Sequence, residues 1–189
     1  MRIIVGVTGA TGAVLAIRTL ERLRELEVET HLCISKWGRR TIEYETDFTA
    51  ADVEGLATAA YASGDQAAAI SSGSFPHDGM VVVPCSVRTL AAVASGLCDN
   101  LITRAADVTL KERRPLVLVV REAPLSEIHL ENMVRATRAG ATIVPPVPAF
   151  YNRPASIDEL VSHIVSRTLD QLGLDDGHTE RWTGGLQHD

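Results

Sequence analysis

The stretch Arg104–Asn132, RAADVTLKERRPLVLVVREAPLSEIHLEN, spells out its own secondary structure. The basic cluster Lys111, Arg113 and Arg114 closes an expected helix, and Pro115 stops it. Leu116–Val120, LVLVV, is a short, largely β-branched apolar run of the kind buried on both faces of a parallel sheet. Arg121 and Glu122 stand at its carboxyl end, the side on which open α/β sheets bind ligands. A cation and a carboxylate placed there predict an anion-binding and acid–base site. Pro124 ends the strand, Ser126 is placed to cap the next helix, and Glu127 falls in its first turn.

Upstream, the same strand–turn–helix grammar repeats. RIIVGVT (Arg2–Thr8) predicts a buried strand, followed by GATGA and an amphipathic helix to about Leu26. The glycines of Gly9-Ala10-Thr11-Gly12 allow backbone N–H groups to approach a phosphate at the helix N-terminus. The run is too short for GxGxxG and lacks a P-loop lysine, so a plain tight turn fits equally. Thr11 either caps the helix or offers its hydroxyl to a ligand. ETHLCIS (Glu29–Ser35) predicts the second strand, and a short helix after it carries Tyr44-Glu45-Thr46-Asp47. Two carboxylates beside a hydroxyl suit a proton relay, and equally a solvated helix end.

Residues 50–70 are Ala-rich and predict a variable helix and connection, and Ser71–Pro76 is a breaker-rich loop, either an anion nest or plain surface. His77 and Asp78 have no second ligand pair at useful spacing, so no metal site is expected. MVVVPCS (Met80–Ser86) predicts a doubly buried strand, with Ser86 placed to cap the next helix or bind a ligand and Cys85 expected in the core. Arg104 and Lys111, seven apart, share one helix face. Gly140 ends a helix before the strand ATIVPP (Ala141–Pro146). The loop Pro148–Pro154 combines Tyr151 with Arg153, which suits either a packed turn or phosphate binding. Ser156 is placed to cap a last helix carrying Arg167.

Five or six strands alternating with helices predict one doubly wound, mostly parallel sheet with helices on both faces. No linker or repeat divides the 189 residues, so one domain is expected over residues 1–173. A polar tail, 174–189, is expected to pack Trp182 on that domain or on a neighbouring subunit. With 46% hydrophobic and 22% charged residues the chain is globular. A net charge of −6 argues against broad nucleic-acid affinity, so any bound anion must be held by local Arg and Lys. Three cysteines without CxxC spacing, and no apolar run of about 18 residues, predict a soluble cytoplasmic protein with reduced thiols and no membrane partner.

GATGA, ISK with YETD, SSGS, PCS, NLITRAADVTLKERRPLVLVVREAP, IHLENM, PAFY and the final RW together closely resemble the UbiX-type flavin prenyltransferases, members of the flavin-binding cysteine-decarboxylase superfamily. The resemblance spans nearly the whole chain and is most specific over residues 101–133. It implies a Rossmann- or flavodoxin-like homododecamer. The implied reaction joins a dimethylallyl group from dimethylallyl phosphate to N5 and C6 of reduced FMN, without metal, making the prenylated flavin used by a UbiD-type decarboxylase. It further implies that Gly9, Ala10, Thr11, Ser35, Ser86, Arg104 and Arg121 hold FMN. Ser72, Ser74, Lys111, Arg121, Tyr151 and Arg167 would surround the allylic phosphate, some of them from a neighbouring subunit. Glu122 would be the acid/base, with Glu45, through Thr11, serving the flavin N5 proton. Thr11 stands where the family often has Ser, which keeps the hydroxyl but stiffens χ1. Two other functions remain open. A thiol oxidative decarboxylase of the same superfamily would carry a PxSAN-like stretch, whereas this chain reads Pro84-Cys85-Ser86-Val87-Arg88 without the Asn. A non-enzymatic flavin-binding module would leave Lys111 and Arg121-Glu122 unexplained.

Overall fold

The computed structural model describes residues 1–178. Six parallel strands, β1 (Arg2–Val7), β2 (Glu29–Ile34), β3 (Ala59–Ala62), β4 (Gly79–Cys85), β5 (Leu116–Val120) and β6 (Ala141–Ile143), form one sheet in the order β3-β2-β1-β4-β5-β6. The helices are α1 (Ala13–Glu25), α2 (Lys36–Glu45), α3 (Ala50–Glu54), α4 (Val87–Ser95), α5 (Leu101–Lys111), α6 (Glu127–Ala139) and α7 (Ile157–Asp170). This is the doubly wound arrangement expected from the strand–helix alternation, and its direction of winding reverses between β1 and β4.

Strand alternation feeds two cores. On β5, Val117 and Val119 join Leu15, Leu20 and Val165 beneath α1 and α7. Leu116, Leu118 and Val120 join Leu90, Ile102 and Ala105 beneath α4 and α5. Packing on the second face is close enough that a Cβ at Gly6 would come within 2.9 Å of Ile102 Cγ2. Cys85 is buried there, and burial pushes its thiol up to about 12, so it is an inert core residue. The expected caps form: Ser126 Oγ accepts from His129 N (3.3 Å), Ser156 Oγ from Glu159 N (3.1 Å), and Gly140 ends α6 at φ 110°.

Residues 50–70 differ from the expected helix and connection. They contain α3, a 3₁₀ turn and the edge strand β3, paired with β2 from His31↔Ala59 to Ile34↔Ala62. AAYA has little intrinsic strand propensity, and its pairing comes from the exposed edge of β2. Of the tail, Leu174 packs on the α1–α7 core and Asp176 accepts from Ser166 Oγ at 2.6 Å. Trp182 lies outside the described residues. No helix among the described residues is long and apolar enough to cross a membrane.

Candidate active site

The carboxyl ends of four strands converge where the winding reverses. Thr8, just past β1, donates its hydroxyl to Pro84 O (2.7 Å) and accepts from Ser86 N (2.8 Å), tying β1 to the end of β4. Ser35 N donates to Val7 O (2.9 Å) and Arg121 N to Cys85 O (3.1 Å), which brings in the ends of β2 and β5. Gly9–Thr11, Ser35, Ser86, Arg121 and Glu122 are thereby gathered at one edge. Ser35 and Ser86 also cap α2 and α4, accepting from Gly38 N (3.0 Å) and Thr89 N (3.3 Å). Glu122 is half-buried, its carboxylate accepting from Ala123 N at 3.0 Å.

Glu45, the last residue of α2, reaches back to this group. Its Oε2 accepts from Gly12 N (2.8 Å) and Ala13 N (2.9 Å) and so caps α1. The N-cap position itself is Gly12, left-handed at φ 106°, and Thr11 is not the cap. The sequence offers this helix end to a phosphate; in the fold the protein's own carboxylate fills it. Burial works to raise the Glu45 pKa. Hydrogen bonds from the Thr11 hydroxyl and from Ala13 and Gly12 N–H, with the charge of Arg121, outweigh it, and Glu45 ends below the ordinary carboxylate range. Thr11 and Arg121 thus both act on Glu45, the first by a hydrogen bond and the second by its charge.

Beside them opens a cavity of about 710 Å³ lined by Gly9, Thr11, Lys36, Trp37, Arg40, Thr41, Tyr44 and Glu45. Trp37 and Tyr44 are 71% and 91% exposed, so among the described residues this apolar wall is left largely open. Gly9 is required here, since a Cβ would overlap Trp37. Two indole and phenol surfaces, two cations and a backbone free to approach suit a flat aromatic ring bearing a phosphate, which is the shape of FMN. Lys36, Trp37, Arg40 and Thr41 have no assigned role in the sequence. Their i, i+4 and i, i+3 spacing with Tyr44 was the available signal.

The remaining candidates lie elsewhere in the chain. Lys111 ends α5 at the amino edge of the sheet, paired with Glu112, and both pack over Gly73. Ser72 Oγ and Ser74 Oγ lie 2.9 Å apart in that same loop. Arg104 Nε donates to Ser71 O (3.0 Å) and its guanidinium pairs with Asp107. Arg104 therefore stands with the serine loop, although the resemblance groups it with the FMN residues. A second cavity, about 650 Å³, includes Lys111, Arg113 and Arg114 in its lining and no carboxylate. The length of β5, about 16 Å at ~3.3 Å per residue, separates this cluster from Arg121 and Glu122. Tyr151 bonds His163 Nε2 at 3.0 Å, one helical turn from Arg167, which pairs with Asp170. One chain therefore does not bring Lys111 together with Glu122. His77, for which the sequence predicts no metal role, is bonded to Arg114 (2.7 Å) and Thr109 (3.0 Å). No group of three or more His, Cys, Asp or Glu forms a metal cluster among the described residues.

A family model described as Flavoprotein matches residues 1–169. A probable UbiX-like flavin prenyltransferase of Bacillus subtilis (strain 168) is 56% identical over 184 residues, covering 97% of this chain and 90% of that protein. The crystal structure of AnUbiX (PadA1) in complex with FMN and dimethylallyl pyrophosphate superposes with a TM-score of 0.96 at 59% identity, over 98% of both chains. That of a dodecameric FMN-dependent Ubix-like decarboxylase from Escherichia coli O157:H7 gives 0.96 at 56% identity, over 97% of this chain and 100% of the other. Matched along almost its full length, the chain belongs to the flavoprotein family and, within it, to the UbiX-like flavin prenyltransferases.

Proposed function

We propose that the protein transfers a dimethylallyl group from dimethylallyl phosphate to reduced FMN, making prenylated FMN in the cytoplasm for a UbiD-type decarboxylase. The observation that carries this is the meeting of Thr11, Glu45 and Arg121 beside an aromatic, basic cavity at the carboxyl edge. Reduced FMN supplies the nucleophilic positions that accept the prenyl carbon.

Gly9–Thr11 give backbone approach to the ring, and Trp37 and Tyr44 provide its apolar wall. Ser35 and Ser86, at the starts of α2 and α4, take the phosphate end together with Arg121. Glu45, kept ionised by its donors, accepts a proton handed on by the Thr11 hydroxyl. As the allylic C–O bond breaks, the phosphate leaves as an anion, and Lys111, Arg104, Arg121, Tyr151 and Arg167 stabilise the growing charge, with Ser72 and Ser74 donating. Glu122 gives a proton to the prenyl double bond and takes back the one displaced from flavin C6 as the ring-closing carbon–carbon bond forms. Because the Lys111 cluster sits at the far edge of the sheet, it serves the site of a neighbouring subunit. Exposed Ile128, Leu130 and Val134 on α6 support such an assembly, and a dodecamer is the state we assign.

Anaerobic incubation with reduced FMN and dimethylallyl phosphate, followed by mass spectrometry of the released flavin, tests the reaction. A gain of one C5H8 unit is expected. Unmodified FMN, with the diphosphate equally inert, would redirect the assignment to thiol decarboxylation or flavin binding alone.

A further inference from the structure

Between the start of β4 and the end of α5 lies a set of polar groups outside the machinery described above. Arg114, just past α5, donates Nη1 to Phe75 O (2.9 Å), Nη2 to Gly73 O (3.3 Å) and Nη1 to His77 Nδ1 (2.7 Å). One guanidinium thus grips three points along the segment that carries Ser72 and Ser74. The His77 ring is buried, and its partners define its tautomer. Nδ1 lies 2.7 Å from Arg114 Nη1, which can only donate, and 3.3 Å from Phe75 O, which can only accept; the shorter contact makes Nδ1 the acceptor. Nε2 then carries the hydrogen and donates to Thr109 Oγ1 (3.0 Å), which itself donates to Ala105 O (2.7 Å).

We infer that Arg114 and His77 are positioning residues that hold the Ser72–Ser74 loop against Lys111, so that affinity for the allylic phosphate depends on His77 being neutral. This rests on the reading that Ser72, Ser74 and Lys111 receive that phosphate. A proton on Nδ1 would point at the guanidinium 2.7 Å away and turn the ring toward Phe75 O, 3.3 Å off, loosening the grip. The charged groups facing His77 are Arg114 and Glu112 at the end of α5, Asp78 at the foot of β4 and His31 on β2. Burial, then the Phe75 carbonyl, Arg114, Asp78 and His31 act on the ring, and the balance lowers its pKa. The loop is therefore held at neutral pH and released as pH falls through a value below the ordinary histidine pKa of about 6.5.

The test uses the full chain with FMN and compares Arg114→Ala, Arg114→Lys and His77→Asn with the unsubstituted protein. Arg114→Ala is expected to raise KM for dimethylallyl phosphate about tenfold or more, with FMN affinity unchanged. Arg114→Lys should not rescue it, because an ammonium cannot span two carbonyls and a ring nitrogen. His77→Asn keeps an acceptor for Arg114 but cannot titrate. It should retain the neutral-pH KM and lose the part of the acid rise in KM that the substrate's own phosphate, common to both proteins, does not explain. Wild-type KM in Arg114→Ala, or a full acid rise in His77→Asn, overturns the inference. Amide exchange over residues 71–75 reads the clamp itself. Faster exchange in Arg114→Ala is expected, and unchanged protection refutes the clamp even if the protein proves inert toward the allylic phosphate. A wild-type KM in Lys111→Ala alongside a loosened loop would instead strike the phosphate assignment.

Discussion

The two edges of the sheet hold two groups of candidate site residues built on different principles. At the carboxyl edge, backbone bonds between strand ends fix Thr8, Ser35 and Arg121, and the Thr8 hydroxyl holds Ser86 N–H, so the site inherits the rigidity of the sheet register. Away from that edge, one loop is held by side chains spread along α5 and just past it: Arg104 near its start on Ser71, Lys111 at its end over Gly73, and Arg114 on Gly73 and Phe75. The first is a preorganised pocket. The second is a charged clamp whose hold depends on a few side-chain bonds, the kind of element that can follow an incoming phosphate.

The sharpest test of this division mixes two disabled proteins. If Glu122 of one subunit works with Lys111 of another, oligomers reassembled from Glu122→Gln and Lys111→Ala chains in equal amounts should recover about a quarter of wild-type sites, since each site draws its halves independently. Each parent alone should remain impaired. No recovery in the mixture would place both residues in one chain's site and remove the contrast between the edges.

Next in size, Glu122→Gln should retain FMN yet slow prenylation by about a hundredfold to ten-thousandfold, the usual worth of a positioned acid/base. Flavin titration beside mass spectrometry of the product checks it. Wild-type turnover would take Glu122 out of the reaction. Lys111→Ala should raise KM for the allylic phosphate about 10- to 100-fold, as the loss of one charge-assisted bond predicts, and leave flavin affinity alone. Lost FMN binding with an unchanged KM would reverse the roles of the two edges.

The smallest effect is one of stability. Glu45→Gln weakens the charge at the start of α1 and should cost about 0.5–1 kcal/mol, a fall in Tm of about 1–4 °C for a chain of this size. The Glu45 carboxyl lies below its ordinary value in the fold, so its contribution is complete above the unfolded carboxylate pKa. It disappears as pH falls through the lowered folded value, and melts of the two proteins should converge there. A gap that persists or widens in acid would show that Glu45 does not act as an anionic cap.

Much of the carboxyl edge was legible because it depends on local signals. LVLVV followed by Arg121-Glu122 announces a buried strand with charge at its end, and Ser86, Ser126 and Ser156 stand where helix caps belong. β3 was not legible. Ala59–Ala62 pairs because β2 offers an open edge, and nothing in four largely alanine residues announces it. Nor was the occupant of the α1 N-terminus, since Glu45 lies more than thirty residues from the amides it caps.

What this sequence determined by itself is its alternation of buried strands and capped helices, and with it the side of the sheet on which a ligand is received. Those features follow from the period of apolar residues and from side chains that bond their own neighbours in the chain. Which candidates share a pocket was decided only in three dimensions. Parallel strands send every α5-like crossover back to the opposite edge, so Lys111 and Arg121, ten residues apart in the chain, end up separated by the full length of β5. Glu45 and Gly12, far apart in the chain, end up hydrogen-bonded because α2 packs against the turn after β1.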